Sequence, residues 1–314
     1  MTAPVRHVWA ALLIVYVVWG STYLGIKIVV ETMPPLLSGG ARFLVAAALL
    51  AAILALRGTS LRVTGRELVG AGIAGLLLLT LGVGVVHVAE TRIDSSVAAM
   101  VAGTVPLQVI LMRLASGDDP ARATRLSTVA GLAGLGLVVL PGLGSGSTAL
   151  GLAIMLGASI SWATGSFLTG RRLTLPRNPF VAAVYEMAAG GAALTVAALT
   201  AGEWRDLDGA AFAADSVAAW LYLVVAGSLV GFTAYAWLLG VAPISLVVTH
   251  QYVNPLVAIA LGMLVLGERP GVLALAGAAV VIGSVYVAVR AETSAATPRP
   301  ASAAPRGTPA DQTA

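Results

Sequence analysis

Tyr16-Val17-Val18-Trp19-Gly20-Ser21-Thr22 is answered, 143 positions on, by Ser159-Ile160-Ser161-Trp162-Ala163-Thr164-Gly165. Each stretch lies inside a long apolar run, with a tryptophan flanked by small and hydroxyl-bearing residues. The likeness continues outward in the same order. Pro35-Leu36-Leu37 matches Pro179-Phe180-Val181 at an offset of 144, and Thr104-Val105-Pro106-Leu107 matches Val253-Asn254-Pro255-Leu256 at 149. Three matches in one order, at nearly one offset, point to a duplicated chain.

A helix needs about 20 apolar residues to cross the hydrocarbon core. By that rule spans fall near 8–30, 35–56, 68–88, 93–115, 126–142, 148–170, 179–201, 217–240, 244–266 and 271–290. They form two sets of five, one within residues 1–142 and one within 143–290. An odd number of spans turns the second set upside down in the bilayer. The expected fold is all-α and polytopic: ten transmembrane helices as two inverted-topology repeats of five. Inverted repeats meeting at a midplane site are the architecture of secondary transporters. The Ala-, Thr-, Pro- and Ser-rich tail, 291–314, has no apolar face and is expected to be a disordered cytoplasmic segment.

Composition agrees. Apolar residues make up 58% of the chain and charged residues 10%, against roughly 25% charged in a soluble domain. Lipid must therefore be the solvent for most of the surface. The net charge of +4 is a thin scatter of arginines with one lysine, so the basic cluster that nucleic-acid binding needs is missing. There are no cysteines, which excludes disulfides and thiolate chemistry, and His7, His87 and His250 lack metal-ligand spacing. Arg6 and the apolar run after it look like a signal peptide, but the run continues to Val30 without a convincing cleavage site, so a retained first span is expected.

Basic residues in short loops set orientation. With the N-terminus in the cytoplasm, thirteen arginines fall on the cytoplasmic side and only Arg92, Arg205 and Arg269 outside. Both termini are therefore expected in the cytoplasm, with the chain multi-pass in the cytoplasmic (inner) membrane.

The motifs Trp19-Gly20-Ser21-Thr22-Tyr23, Pro34-Pro35 before Ala41-Arg42-Phe43, Ala89-Glu90-Thr91 with Ser96-Val97-Ala98-Ala99, and Val105-Pro106-Leu107 belong together. So do Asn254-Pro255-Leu256 and Leu266-Gly267-Glu268-Arg269 in the second half. Together they resemble the drug/metabolite transporter superfamily, in its EamA-like ten-helix branch, over about residues 8–290. The resemblance implies two five-helix bundles around a central cavity. It also implies transport, commonly export, of amino acids, amines or toxic compounds. Gly117-Asp118-Asp119-Pro120 departs from the pattern, standing where many members carry a Gly-Glu pair.

Ionisable groups inside a span are costly and usually face a cavity or a partner. Arg42 and Glu186 each lie seven residues into their spans, roughly 10 Å deep, at mirror depths if the repeat is inverted. Arg42 is expected to attract an anionic group of the substrate; Glu186 is expected to bind an amine or carry a proton. The alternative for both is a structural tie to backbone carbonyls, and an arginine near a helix end snorkels. Trp19, Ser21 and Tyr23, with Trp162, Thr164 and Ser166 as counterparts, are candidates for the cavity wall, since aromatics wall a pocket and hydroxyls orient its ligand. His250, Gln251 and Asn254 form the most polar stretch of any span. Pro255 should loosen the helix around Gln251 and Pro106 should make the matching break, because proline donates no backbone hydrogen bond. His250 is a second candidate for proton coupling; its alternative, like that of Gln251, is hydrogen bonding to neighbouring helices. Lys27 reads as an interfacial snorkeller, His87 and Glu90 as weak candidates for an outer vestibule, and Asp118, Asp119, Glu203, Asp206 and Asp208 as solvated loop acids.

No nucleophile–base pair, nucleotide loop or metal cluster accompanies these residues, so no enzyme, cofactor, metal or catalytic residue is expected. The partners expected are a small-molecule substrate, protons and the lipid bilayer, with no nucleic acid, in a monomer or homodimer. The sequence reads as a secondary transporter exporting a small metabolite by alternating access. An uptake permease of the same fold is the alternative, or a membrane sensor or scaffold without transport.

Overall fold

The computed structural model describes residues 4–93, 95–139, 148–207, 212–266 and 272–295, which are helical with no strand among them. Ten helical stretches follow one another: α1 (Val5–Thr32), α2 (Pro35–Leu56), α3 (Gly65–Glu90), α4 (Ser95–Ala102 and Val105–Ala115) and α5 (Arg122–Val139). Then come α6 (Ala149–Arg171), α7 (Pro179–Ala201), α8 (Ala214–Val241), α9 (Ile244–Val247 and His250–Leu266) and α10 (Val272–Ala295). Six of them, α1, α2, α3, α6, α7 and α8, are each long and apolar enough to cross a membrane.

Local chemistry sets the boundaries. Pro35 opens α2 and Pro179 opens α7, at first-turn positions where the missing N–H costs nothing. Asn178 caps α7 through the Phe180 amide at 3.0 Å, and Gly202 closes it with φ of 84°, a left-handed conformation that glycine adopts without strain. Thr64 and Glu67 form a reciprocal capping box at the start of α3. The tail departs from expectation at its start: α10 continues through residues 291–295, so helical bonding carries past Arg290. The remainder, 296–314, lies outside the described residues, as do Asp208 and residues 267–270.

Packing is by pairs. α2 lies along α7 and α5 along α10, while α1 packs against α8 and α9, and α6 against α3. The α5–α10 seam brings the two helices close at small residues, for a Cβ on Gly134 would meet the Gly277 carbonyl at 3.0 Å. Outward faces carry exposed Leu13, Val69, Val129, Val196 and Ile282, the surface of a chain that lipid solvates. One end of the bundle gathers the end of α1 and the starts of α2 and α6. There the Ala213 amide donates to Thr32 (3.2 Å), Thr148 to the Arg92 carbonyl (3.2 Å), and Leu37 to Glu203 (2.8 Å). Glu203 is thus not a free loop acid; it caps α2. This is the Thr32 end, and the opposite one is the Val5 end.

Candidate functional site

Two broken helices and two widened ones meet at the centre. α4 leaves the helix at Gly103–Thr104 and α9 at Val248–Thr249, 145 positions apart. At each break a threonine hydroxyl donates to the carbonyl three residues back, Thr104 to Val101 (2.7 Å) and Thr249 to Leu246 (2.6 Å). Pro106 stands in the first turn after its break. Pro255 lies inside the helix, and the distortion it was expected to cause at Gln251 appears one turn earlier. There Gln251 N bonds to Val248 O (3.2 Å), a tightened turn three residues long. Backbone irregularity at membrane depth is tolerated only inside protein or beside a cavity.

α3 widens into a π-helix over Leu76–Gly84, and α8 over Leu223–Phe232, a form frequent at functional sites. Each stretch seats the tryptophan of the other half. A Cβ on Gly231 of α8 would fall 2.6 Å from Trp19 Nε1, and one on Gly82 of α3 would fall 3.1 Å from Trp162 Cε3. Only glycine lets the rings approach so closely. Trp19 Nε1 also donates to the Gly227 carbonyl at 3.0 Å.

The two indoles stand edge to face with centroids 5.3 Å apart. Tyr235 joins them at 4.9 and 5.1 Å, and His250 lies edge-on to Trp19 at 5.1 Å. Beyond this aromatic plate, toward the Thr32 end, lies a cavity. Its walls are drawn from residues 19–26 of α1, 42–43 of α2, 79–86 of α3 and 155–162 of α6, together with Gly227 and Phe232 of α8 and residues that follow or precede the two breaks. Most of the lining is apolar, as is usual for a small-molecule site. A few buried polar atoms there have no partner among the described residues: Arg42 Nη1, Trp162 Nε1 and Asn254 Oδ1. Arg42 is held at its root by Ser228, 2.7 Å from Nε, and no described carboxylate pairs with it.

Of the residues singled out from the sequence, Trp19, Tyr23, Arg42, Trp162, Gln251 and Asn254 line this cavity. Four others stand off it. Ser21 turns toward α8 and bonds Tyr222 at 2.5 Å; Ser166 bonds Tyr235 at 2.5 Å behind the plate. His250 is part of the plate, its Nδ1 against the Val247 carbonyl at 2.9 Å. Glu186 is buried on the Val5 side, with Oε2 unpartnered. Lys27 does not snorkel; it turns inward to the carbonyls ending α3. Tyr235, Phe43 and Ser228 are contributors that sequence reasoning missed. The small residues Gly227-Ser228 and Gly231 in an otherwise apolar span were the available signal for α8.

The Val5 end is sealed by polar contacts. Tyr16 bonds Thr249 at 2.6 Å. Asp118 accepts from Arg113 of α4 (2.7 Å) and Arg171 of α6 (2.5 Å), and Arg113 also reaches Ser245 of α9. Asp118 is therefore not simply solvated. Partial burial favours its neutral acid, but the hydrogen bonds from Arg113 and Arg171 outweigh that and hold the carboxyl below the usual aspartate range. Among the described residues no group of three or more His, Asp or Glu could hold a metal ion.

The family profile of EamA-like transporters matches the chain twice, at 8–140 and 149–290. The chain belongs to the EamA-like transporter family. It is 39% identical over 264 residues, 83% of each chain, to the uncharacterized inner membrane transporter YedA of Escherichia coli K12, and equally to YedA of the O6:H1 and O157:H7 strains. A crystal structure of a protein 18% identical superposes with a TM-score of 0.71 over 92% of this chain and 98% of its own, a likeness of fold alone. This EamA-like chain is thus a membrane transporter, and the cavity between its two family-matched stretches is its candidate substrate site.

Proposed function

We propose that this transporter is a secondary carrier that exports a small metabolite bearing an anionic group, by alternating access in the cytoplasmic membrane with both termini inside. The observation that carries this reading is the cavity itself. It lies where the two halves meet, walled by Trp19 and Trp162, with the guanidinium of Arg42 unpaired in its lining. An unpaired buried cation attracts a carboxylate or similar group, and the apolar walls suit the remainder of an amino acid or drug-like compound.

Inverted repeats are supported by the mirrored construction. Trp19 seats on α8 as Trp162 seats on α3, and the breaks and wide turns recur at offsets of 145 and 147. In such a carrier one half rocks against the other around a fixed site. Glu186, sealed behind the aromatic plate, would meet water when the Val5 end opens and is a candidate for proton coupling in that state; His250, in the plate, is another. Export follows the family resemblance; uptake is the competing direction.

The test is an untargeted comparison of small molecules inside and outside cells expressing wild type or Trp19→Ala/Arg42→Ala at matched levels. A compound that rises outside and falls inside only with wild type identifies the exported substrate. Accumulation inside makes it an uptake carrier. No difference for any compound contradicts transport.

A further inference from the structure

Glu90 closes α3 at the Thr32 end. Its side chain has 0% exposure and neither carboxylate oxygen has a hydrogen-bond partner. It sits beside an apolar cluster of Ile26, Val29, Val86, Ala89, Ile93, Ala98, Met155 and Ala158. An ionised, unpartnered carboxylate is strongly disfavoured in such a place.

The groups around it are few. From α1, Lys27 gives its ammonium to main-chain oxygens, Glu90 O at 2.8 Å and Ile93 O at 3.4 Å, and acts on the carboxylate only through space. Tyr23, also on α1, lies within electrostatic reach. On α3 itself His87 is tied to the Val83 carbonyl at 3.0 Å, and Arg42 of α2 acts on that ring through space. Among the described residues the packed parts of α4 and α6 bring no charge to it.

The cavity comes up to the same place. Tyr23 and Ile26 of α1 line it, and so does Val86, one turn before Glu90. The Tyr23 hydroxyl points to Gln251 Oε1 at 3.4 Å, on the cavity wall. A side chain with two free acceptor oxygens is thus held one residue layer behind the substrate site, on the side opposite Glu186.

We propose that Glu90 is a proton-binding residue of the transport cycle. In the form with the cavity at the Thr32 end, a proton from water forms an O–H bond on a Glu90 carboxylate oxygen. That bond breaks, returning the proton to water, when the halves rearrange. Lys27 is a positioning residue that favours release. The proposal rests on the carrier reading and adds an ion-coupling group to it.

The test is infrared spectroscopy of the full-length protein in phosphatidylcholine–phosphatidylglycerol vesicles across pH. A protonated-carboxyl stretching band should disappear reversibly as pH rises. It should be missing in Glu90→Gln and retained in Glu186→Gln. Lys27→Gln should move its titration upward by about one pH unit or more, since the nearest cation is gone. A band unchanged in Glu90→Gln overturns the assignment. If that variant does not fold, Lys27→Gln decides, and an unmoved midpoint overturns it. With the compound identified above, Glu90→Gln should lose most accumulation driven by a pH gradient while keeping exchange at equal pH; full retention of both removes Glu90 from the cycle. An intact Glu90 band with no transported compound would sink the carrier reading and leave the proton site standing.

Discussion

The two ends of this bundle are held by different chemistry. Toward the Thr32 end the helices separate around a mostly apolar cavity in which Arg42 Nη1, Trp162 Nε1 and Asn254 Oδ1 lack partners; toward the Val5 end side-chain contacts tie the two halves together. Tyr16–Thr249, Asp118–Arg171 and Arg113–Ser245 each join the two halves, and Tyr235–Ser166 joins α8 to α6. Satisfied contacts close one end, and unsatisfied ones gather in the candidate substrate site. The aromatic plate is the partition between them.

That contrast can be broken most severely at the plate. Trp162→Ala removes a buried ring touching Trp19, Tyr235 and His250, and a core Trp→Ala change costs about 3–5 kcal/mol. We expect a large fall in thermal unfolding midpoint in detergent. The chain has no cysteine, so a Ser166→Cys reporter behind the plate should pass from unreactive to reactive toward maleimide. A reporter that stays silent would mean the plate is not the partition.

Next in size is Gly231→Val, whose added carbon would fall 2.6 Å from Trp19 Nε1; overpacking of this kind costs about 1–3 kcal/mol. Gly82→Val, with its closest approach to Trp162 at 3.1 Å, should lose less stability. The reverse order would contradict the mirrored seating.

Asp118→Asn should act on the sealed end alone. Its partly exposed pairs are worth about 1 kcal/mol or less, so Ser166→Cys labelling should rise by about fivefold at most. Acid should mimic the substitution. Because the folded-state carboxyl titrates below its unfolded value, its stabilisation is complete above the unfolded value and fades as pH drops through the folded one. Wild type should therefore open only below about pH 4, and Asp118→Asn should lack that step. The smallest effect is expected from Thr64→Ala, which removes the exposed cap of α3 and should lower the unfolding midpoint slightly without altering labelling.

Much of this was legible in the chain. The spacing of apolar runs gave the ten helices to within a few residues, because membrane thickness dictates length. Trp19 and Trp162 were found as a pair because duplication left both in place. The π-helical turns were not legible, since Leu76–Gly84 and Leu223–Phe232 are apolar but for Thr80 and Ser228 and carry no periodic mark of widening. Tyr235 was missed for a related reason: an aromatic in a span reads as an interfacial anchor until its depth is known. Asp118 looked solvated because one of its two partners, Arg171, comes from a helix more than fifty residues away.

The wide turns of α3 and α8 have one more consequence. Returning one surplus residue to an ordinary turn rotates everything beyond it by roughly 100° about the axis. Either stretch therefore stores twist, and releasing it would swing its glycine out from beneath the facing indole while every backbone group stayed bonded within its own helix. Such a helix can change the face it presents at membrane depth with no loop to act as a joint.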